Sequence, residues 1–149
     1  MKPVKTLVLL ANDATARLFE NLGPGRGLSE IEDFKARLTQ GAEVRYSDRP
    51  GRNAAAPGMA HHATADQAEA EEAQSRNAFV RAVVAETEDR FRENGFTRFV
   101  VVAAPATLGA LRAQLPERLR QALVLDVDKD FTAQSPADVV KRLEGAIVL

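Results

Sequence analysis

A continuous apolar run in the second half of the chain constrains the fold more than any other feature. Residues Phe99-Val100-Val101-Val102-Ala103 show no alternation of polar and apolar side chains. A strand with one solvent-facing side would alternate, so this run is typical of a strand covered on both faces. A leucine- and valine-rich run over 4–11, which ends at the turn pair Asn12-Asp13, also predicts a buried strand. We therefore predict an α/β fold.

Apolar periodicity and turn residues complete a predicted element order of β-β-β-α-β-α-β-α. The predicted strands cover residues 4–11, 15–21, 28–34, 98–104 and 123–127. Short turns join the first three, so these are expected to form an antiparallel meander. The later strands are linked by helices and must lie parallel through right-handed crossovers. This order predicts a ribonuclease H-like three-layer domain over residues 1–149, with a five-stranded mixed sheet and helices on both faces.

Capping residues and helical spacing mark the predicted helices. The longest covers 66–94, is polar at first and then amphipathic, and is followed by Gly95 as an expected left-handed cap. Thr107 is expected to cap the next helix, and Pro116 should divide that helix because proline lacks an amide donor. The pair Ser135-Pro136 predicts the start of the last helix.

Composition excludes several classes of function. The chain has 149 residues, the size of one domain, with 20 basic and 21 acidic side chains and a formal net charge of -1. A wholly basic nucleic-acid-binding protein would be strongly cationic. Because the chain has no cysteine, it has no disulfide framework, thiol nucleophile or cysteine-ligated zinc. It has only two histidines, which are adjacent, so we expect no catalytic residue, no metal site and no cofactor.

The N-terminal apolar run is too short for a secretory signal. It follows Lys5 and ends at Asn12-Asp13, whereas a signal peptide needs about 7–15 apolar residues and then a cleavage site. Elsewhere, too, the sequence lacks the roughly 18 apolar residues that span a bilayer. The sequence therefore predicts a cytoplasmic protein with no membrane contact.

A long segment over about 41–64 contains the candidate binding residues. It is rich in glycine and proline and has almost no large apolar side chain, which predicts a loop. Loops longer than about 12–15 residues are usually functional or disordered. The candidates for contact with RNA or a protein partner are Arg45, Asp48, Arg49, Gly51, Arg52, His61 and His62. Three arginines against one aspartate give residues 45–62 a net charge of +2, and arginine both pairs with phosphate and stacks on bases. The alternative is an ordinary solvated loop with a turn at Pro50.

Two metal sites are alternatives that the residues leave open. His61 and His62 could form half of a site with Asp66, although adjacent side chains normally diverge and a transition metal needs three or four ligands. A nuclease-type metal pair needs several carboxylates that meet at the sheet. The candidates for it follow the first and last strands: Asp13, Asp126, Asp128 and Asp130. Asp13 falls in a predicted hairpin turn, where aspartate is common for its hydrogen bonds to backbone amides.

Five segments together resemble the bacterial host attachment protein family. They are Ala11-Asn12-Asp13-Ala14, Ala16-Arg17-Leu18-Phe19, Ser47-Asp48-Arg49-Pro50-Gly51-Arg52, Ala104-Pro105-Ala106-Thr107-Leu108-Gly109-Ala110-Leu111-Arg112 and Val127-Asp128-Lys129-Asp130-Phe131-Thr132. The resemblance covers roughly residues 4–145. That family is in turn similar to the middle domain of eukaryotic and archaeal class-1 release factors and of Pelota. The resemblance implies the ribonuclease H-like topology that the element order predicts independently.

The resemblance also bears on function. In release factors, a loop bearing Gly-Gly-Gln precedes the first helix and enters the peptidyl transferase centre, and segment 41–64 occupies that place here. This sequence contains no Gly-Gly-Gln, so the resemblance does not imply peptidyl-tRNA hydrolysis. We expect a non-enzymatic cytoplasmic factor that contacts RNA or the ribosome through Arg49–Arg52. The alternatives are a protein-protein interaction factor needed for host-cell attachment and a metal-dependent nuclease.

Overall fold

A computed structural model describes residues 4–38 and 65–149. Within these ranges the chain forms one five-stranded mixed sheet with the strand order β3-β2-β1-β4-β5. The strands are β1 (Thr6–Ala11), β2 (Ala16–Asn21), β3 (Ser29–Glu30), β4 (Arg98–Ala103) and β5 (Leu123–Val127). The five strands and the α/β class agree with the prediction from the sequence.

The two apolar runs form the centre of the sheet. β1 and β4 are parallel neighbours, in register from Thr6 opposite Arg98 to Ala11 opposite Ala103. All six residues of β1 and the last five of β4 are buried. These strands are covered on both faces, which confirms the interpretation of their unbroken apolar sequence.

The sheet is antiparallel on the β2 side of β1 and parallel on its β4 side. β2 is antiparallel to β1, and β3 is antiparallel to β2. β5 is parallel to β4, as expected for strands joined by a helical crossover. The strands β1, β4 and β5 therefore end at one edge of the sheet, which we call the carboxyl edge.

Four helices follow in chain order in the described residues. They are α1 (Ala65–Glu93), α2 (Pro105–Gln114), α3 (Glu117–Ala122) and α4 (Pro136–Leu143), and residues 34–38 are also helical. Pro116 separates α2 from α3 as predicted. Gly95 has a φ of 70°, as predicted for a left-handed cap after α1. The Ser135 side chain accepts a hydrogen bond from the Asp138 amide, which confirms the predicted start of α4.

Two apolar clusters place helices on both faces of the sheet. On one face α1, α2 and α3 pack over alternate residues of β1 and β4, such as Leu9 and Val101. On the other face α4 packs over Val8, Val100 and their neighbours. The alternation of side chains along a strand divides each apolar run between the two clusters.

The predicted third strand is wrong in its extent. Only Ser29 and Glu30 pair with β2, where the sequence predicts a strand over 28–34. The Phe34 amide donates to the Ile31 carbonyl, and the chain turns there into the helical residues 34–38. This turn buries Phe34 in the same cluster as α1, and burying a phenylalanine is worth more than extending an exposed edge strand.

The predicted cap at Thr107 is also wrong. Helix α2 begins at Pro105, and its N-cap is Ala104, which makes no side-chain capping bond. Proline at the first helical position has a preset φ and lacks only an amide that would be unpaired there. Thr107 therefore lies inside the first turn, where its hydroxyl is free to donate elsewhere.

The length and polarity of the helices bear on the predicted absence of a membrane-spanning segment. In residues 4–38 and 65–149, every helix is too short or too polar to cross a bilayer.

Candidate functional site

The carboxyl edge carries a cluster of polar side chains. Three segments that continue from it contribute: the turn 12–15 after β1, the first turn of α2 after β4, and the loop 128–135 after β5. Helix α1 runs back across the same face, because Asn94 beyond its end meets Lys5 at the start of β1. The middle of α1 thus also reaches the carboxyl edge. Ligands of open α/β sheets bind outside the carboxyl ends of the strands, so a binding site is expected at this edge.

Asn12 ties two of these segments together and uses its full hydrogen-bonding capacity. Its Oδ1 accepts from the backbone amides of Ala14 at 2.9 Å and Thr15 at 2.7 Å, which shapes the turn. Its Nδ2 donates to Asp130 Oδ2 at 3.0 Å and to Thr132 Oγ1 at 3.1 Å. A side-chain amide offers two acceptor and two donor positions, and all four are occupied here.

Asp130 is held as a carboxylate by the groups around it. Its Oδ1 accepts from the Thr132 hydroxyl at 2.6 Å and from the Thr132 amide at 2.9 Å. The hydroxyl of Thr132, then Asn12, then the Thr132 amide lower the pKa of Asp130 below its ordinary value. An acid with a lowered pKa is a poor proton donor near neutral pH, so this carboxylate is suited to structure rather than to general acid catalysis.

Arg17 on β2 fastens the same loop from the other side. Its guanidinium binds Glu30 on β3 through two bonds, of 3.1 Å and 2.7 Å. It also donates to the carbonyl oxygens of Thr132 at 3.0 Å and Gln134 at 2.7 Å. The Arg17 guanidinium lowers the pKa of Glu30 through this pairing. One side chain therefore joins the edge strand β3 to the loop after β5.

Asp13 links α1 and α2. Its two carboxylate oxygens accept from Arg76 Nε at 3.0 Å and from the second Arg76 nitrogen, Nη2, at 3.2 Å. Asp13 Oδ1 also accepts from the Thr107 hydroxyl. The Arg76 pairing and then the Thr107 hydrogen bond lower the pKa of Asp13. The structure therefore places Asp13 in the predicted hairpin turn, but with partners on two helices.

The arrangement of the four aspartates differs from a two-metal site. Asp13 and Asp130 accept from separate sets of donors, and Asp126 pairs with Arg112 at 2.7 Å. Asp128 is exposed. Across residues 4–38 and 65–149, the acidic side chains do not form a group of three that could hold a metal ion. At the carboxyl edge of the described residues, Asp13 is thus paired with an arginine, whereas Asp130 is held by uncharged donors.

The first half of α1 lies outside the packed body. Residues 65–72 are all exposed, and the first buried residue of the helix is Val80. Residues 65–75 contain Asp66, Glu69, Glu71 and Glu72 and no basic residue, so this half carries four negative charges. At 1.5 Å per residue, these eleven residues extend about 16 Å beyond Arg76. We call residues 65–75 the exposed half of α1.

The binding residues predicted from the sequence fall before this helix. Arg45, Asp48, Arg49, Gly51, Arg52, His61 and His62 all lie outside the described residues. Their predicted role in contact with RNA or a partner therefore stays a prediction. Asp66, the third member of the alternative histidine site, is exposed in the first turn of α1.

The segments that carry the sequence resemblance converge at the carboxyl edge. Four of the five lie in the described residues, and each contributes a side chain to the cluster: Asn12 and Asp13, Arg17, Thr107, and Asp130 with Thr132. Residues far apart in the chain thus meet in two hydrogen-bonded groups, one around Asp130 and one around Asp13, which lie side by side because Asn12 and Asp13 are adjacent. Within the described residues, the resembling segments therefore share one region of the fold.

Comparison of the sequence with models of known protein families identifies its family. The model of Bacterial archaeo-eukaryotic release factor family 12 matches residues 5–143. The chain belongs to this family. No curated protein matches it. Membership of family 12 confirms the release-factor-like part of the resemblance, whereas the link to host attachment stays a prediction.

The sequence of this family-12 protein did not predict a role for Arg76. Arg76 lies where the polar first part of the predicted helix 66–94 gives way to its amphipathic part. A basic residue at that change of pattern, opposite an aspartate after a strand, is the signal that could have identified it. Asn12, Arg17 and Thr132 lie in the resembling segments, but the sequence assigned none of them a role in a site.

Proposed function

We propose that this family-12 protein is a translation factor that binds RNA of the ribosome and has no catalytic activity of its own. The observation that carries the proposal is the match to a release factor family over residues 5–143, nearly the whole chain. The carboxyl edge supports it, because four of the segments that resemble release-factor-like proteins contribute side chains to this cluster. We also propose a cytoplasmic location, where ribosomes are, and a ribonuclease H-like topology, which two parallel crossovers support.

The distribution of charge favours the arginine segment as the RNA contact. The exposed half of α1 carries four carboxylates and would be repelled by phosphates. Residues 45–62, which come shortly before it in the chain, have a net charge of +2. We therefore assign the RNA contacts to Arg45, Arg49 and Arg52, since arginine binds phosphate through two parallel bonds.

Sedimentation with ribosomes tests this proposal. We expect the protein to move with ribosomes through a sucrose gradient at low salt and to be released as salt rises, because each phosphate contact releases counterions. The double variant Arg49→Ala/Arg52→Ala should bind more weakly at every salt concentration, and its dependence on salt should be shallower by about one to two contacts. The matched control is Arg118→Ala/Arg120→Ala, which removes the same charge from exposed positions on α3.

Three results would contradict the proposal. Wild-type protein that stays at the top of the gradient at low salt would exclude stable ribosome binding. An equal loss in the control pair would show that net charge, and not the arginine segment, determines the association. Cleavage of RNA or DNA by purified protein with Mg²⁺ or Mn²⁺ would replace a binding role by the nuclease alternative.

A further inference from the structure

The junction between α1 and β4 places an asparagine and a glycine side by side in the solvent. Asn94 follows Glu93, the last residue of α1, and Gly95 comes directly after it with a φ of 70°. Both are exposed, whereas the next residue, Phe96, is 5% exposed and belongs to the apolar cluster under α1. The polar pair therefore lies directly beside a buried ring.

The backbone amide of Gly95 lacks the partner that this type of helix end usually provides. In a Schellman motif, the amide of the glycine and the amide that follows it both donate to carbonyls of the last helical turn. Here the Phe96 amide donates to the Phe91 carbonyl at 3.3 Å, and the Asn94 amide donates to the Arg90 carbonyl at 3.2 Å. In the part of the chain that the structure describes, the Gly95 amide between them has no acceptor. Its nitrogen is therefore not held by a bond to the helix.

The side chain of Asn94 is also unbonded among the described residues. Asn12 makes four hydrogen bonds, and Asn21 donates to a backbone carbonyl and accepts from a backbone amide. Asn77 is exposed like Asn94, but the residue after it, Ala78, lies inside α1, where amides bond to carbonyls one turn back. Of these four asparagines, only Asn94 combines an exposed, unbonded side chain with an unbonded amide on the next residue.

A lysine polarises the peptide bond that joins the pair. Lys5 Nζ donates to the Asn94 carbonyl oxygen and lies 4.8 Å from the centre of the Phe96 ring. The Lys5 carbonyl accepts from the Thr97 amide at 3.0 Å, which ties the start of β1 to the same junction. A charge-assisted hydrogen bond to a peptide oxygen draws electron density from the peptide nitrogen and makes its N–H more acidic. The nitrogen affected here is that of Gly95.

We propose that Asn94-Gly95 is a site of spontaneous covalent modification, at which the protein deamidates itself in water without an enzyme. Asparagine is among the thermolabile residues. The Gly95 nitrogen gives its proton to solvent base and attacks Cγ of Asn94, which closes a five-membered succinimide ring. The bond from Cγ to the side-chain nitrogen breaks, and this nitrogen takes a proton from water and leaves as ammonia. Water then opens the ring at either carbonyl and gives aspartate or isoaspartate.

The two products change the junction in different ways. Aspartate adds a carboxylate to the residue whose carbonyl the Lys5 ammonium binds, and that ammonium compensates for a negative charge at the end of a helix. Isoaspartate takes the side-chain carbon into the main chain, so the backbone before Phe96 becomes one atom longer. The Phe96 ring is buried and stacks on Phe91 with ring centroids 6.2 Å apart. The longer backbone displaces this ring, and the isoaspartate form should unfold at a lower urea concentration.

Peptide mapping of aged protein tests the proposal, and it does not depend on ribosome binding. The full chain is incubated at physiological temperature and pH in water enriched in heavy oxygen, and mass spectrometry then locates each asparagine that has become a labelled acid. We expect conversion at Asn94 and a rate at least about tenfold lower at Asn77, where helical hydrogen bonds hold the next amide. Equal rates at the two positions, or conversion of Asn94 only in urea, would overturn the proposal.

Variants at two positions test the chemistry. Asn94→Gln would have to close a larger ring and should stop the modification. Lys5→Met removes the ammonium and should slow the reaction about threefold to tenfold, since charge-assisted hydrogen bonds are roughly twice as strong as neutral ones. Lys5→Arg should keep most of the rate, and thermal unfolding checks that each variant folds. An unchanged rate in folded Lys5→Met protein would overturn the role of the lysine.

Urea denaturation of the separated products tests the consequence for the fold. Ion exchange separates the deamidated protein from the native form because each product carries one more negative charge. The isoaspartate form should have a lower urea midpoint than the aspartate form, and freshly prepared Asn94→Asp protein serves as the reference for the latter. Equal midpoints would overturn the link between modification and loss of stability.

Discussion

The two halves of α1 belong to one continuous helix but are stabilised by different forces. In the second half, the buried positions Val80, Val83, Val84, Thr87 and Phe91 recur at helical spacing and pack against the sheet. In the exposed half, residues 65–72 have no buried member. Most helices depend on such an apolar face, so the intrinsic preferences of its residues matter more in the exposed half.

The sequence of the exposed half favours a helix without help from packing. It consists mainly of alanine, glutamate and glutamine, which are strong helix formers. Asp66 near the N-terminus also interacts favourably with the helix dipole. The comparison teaches that a helix can continue beyond its packing where its residues have high helix propensity, and Arg76 pairs with Asp13 where the two halves meet. Four predictions test how sharply the two halves differ.

The largest expected effect on the free energy of unfolding comes from removing a packed side chain in the second half of α1. Phe91→Ala should lower the free energy of unfolding by about 3–5 kcal/mol, because it removes a buried ring and leaves a cavity. Phe91 is 6% exposed, whereas Phe79, nearer the exposed half, is only partly buried. Phe79→Ala should cost clearly less. Urea denaturation measures both, and equal losses would show that packing extends further along α1 than the burial pattern indicates.

A smaller effect is expected at the carboxyl edge, which supports the base of the exposed half. Asn12→Asp replaces two donated bonds by a negative charge beside Asp130, and should cost about 1–3 kcal/mol. The matched control is Asn77→Asp, the same change at an exposed position of α1. Urea denaturation of the two variants gives the comparison. If they lost the same stability, the four bonds of Asn12 would not be a special feature of the edge.

The third prediction concerns the loss of folding stability at acid pH. The pKa values of Asp13 and Asp130 are lowered in the folded protein, so each stabilises it above the ordinary aspartate pKa and ceases to do so as the pH falls through the folded value. Stability should therefore decline below about pH 4. Asp130→Asn should lower stability at pH 7 and make this decline shallower, as measured by urea denaturation from pH 7 to pH 3. The exposed Asp128→Asn is the control, and an unchanged acid profile for Asp130→Asn would contradict the prediction.

The smallest effect on overall stability is expected in the exposed half. Ala70→Gly should favour local opening of its helix by about 1 kcal/mol, but it should hardly change the free energy of global unfolding. Ala82→Gly, in the packed half, should lower the global value by about that amount. Hydrogen exchange should be fast at 65–75 and faster still in Ala70→Gly. Slow exchange throughout 65–75 would mean that this half is as firmly held as the rest of α1.

Much of the fold could be predicted because local pattern and burial agree. The unbroken apolar runs of β1 and β4 occur at the centre of the sheet, and β5 has the predicted bounds Leu123–Val127. Turn and cap residues such as Gly95 and Pro116 act within a few residues of the chain, so their effect can be foreseen without the tertiary structure.

The errors occurred where a distant partner outweighed a local preference. Alternation over 28–34 predicted a strand, but Phe34 is buried against residues of α1 and β1 far away in the chain. Thr107 looked like a cap, but its hydroxyl donates to Asp13, 94 residues earlier. The same limit applied to the candidate site, because the sequence could not show that Asp13 pairs with Arg76, 63 residues later.

The sequence by itself determined the class of fold, the places of its strands and long helix, and the absence of thiol chemistry and of Gly-Gly-Gln. These depend on residue type and on spacing along the chain. Only the tertiary structure decided that Asn12, Asp13, Arg17, Thr107 and Asp130 belong to one cluster, and that α1 leaves the body at Arg76. The physical reason is that hydrogen bonds are short and directional. Whether two side chains bond depends on the distance between strands and helices in space, and separation along the sequence does not contain that distance.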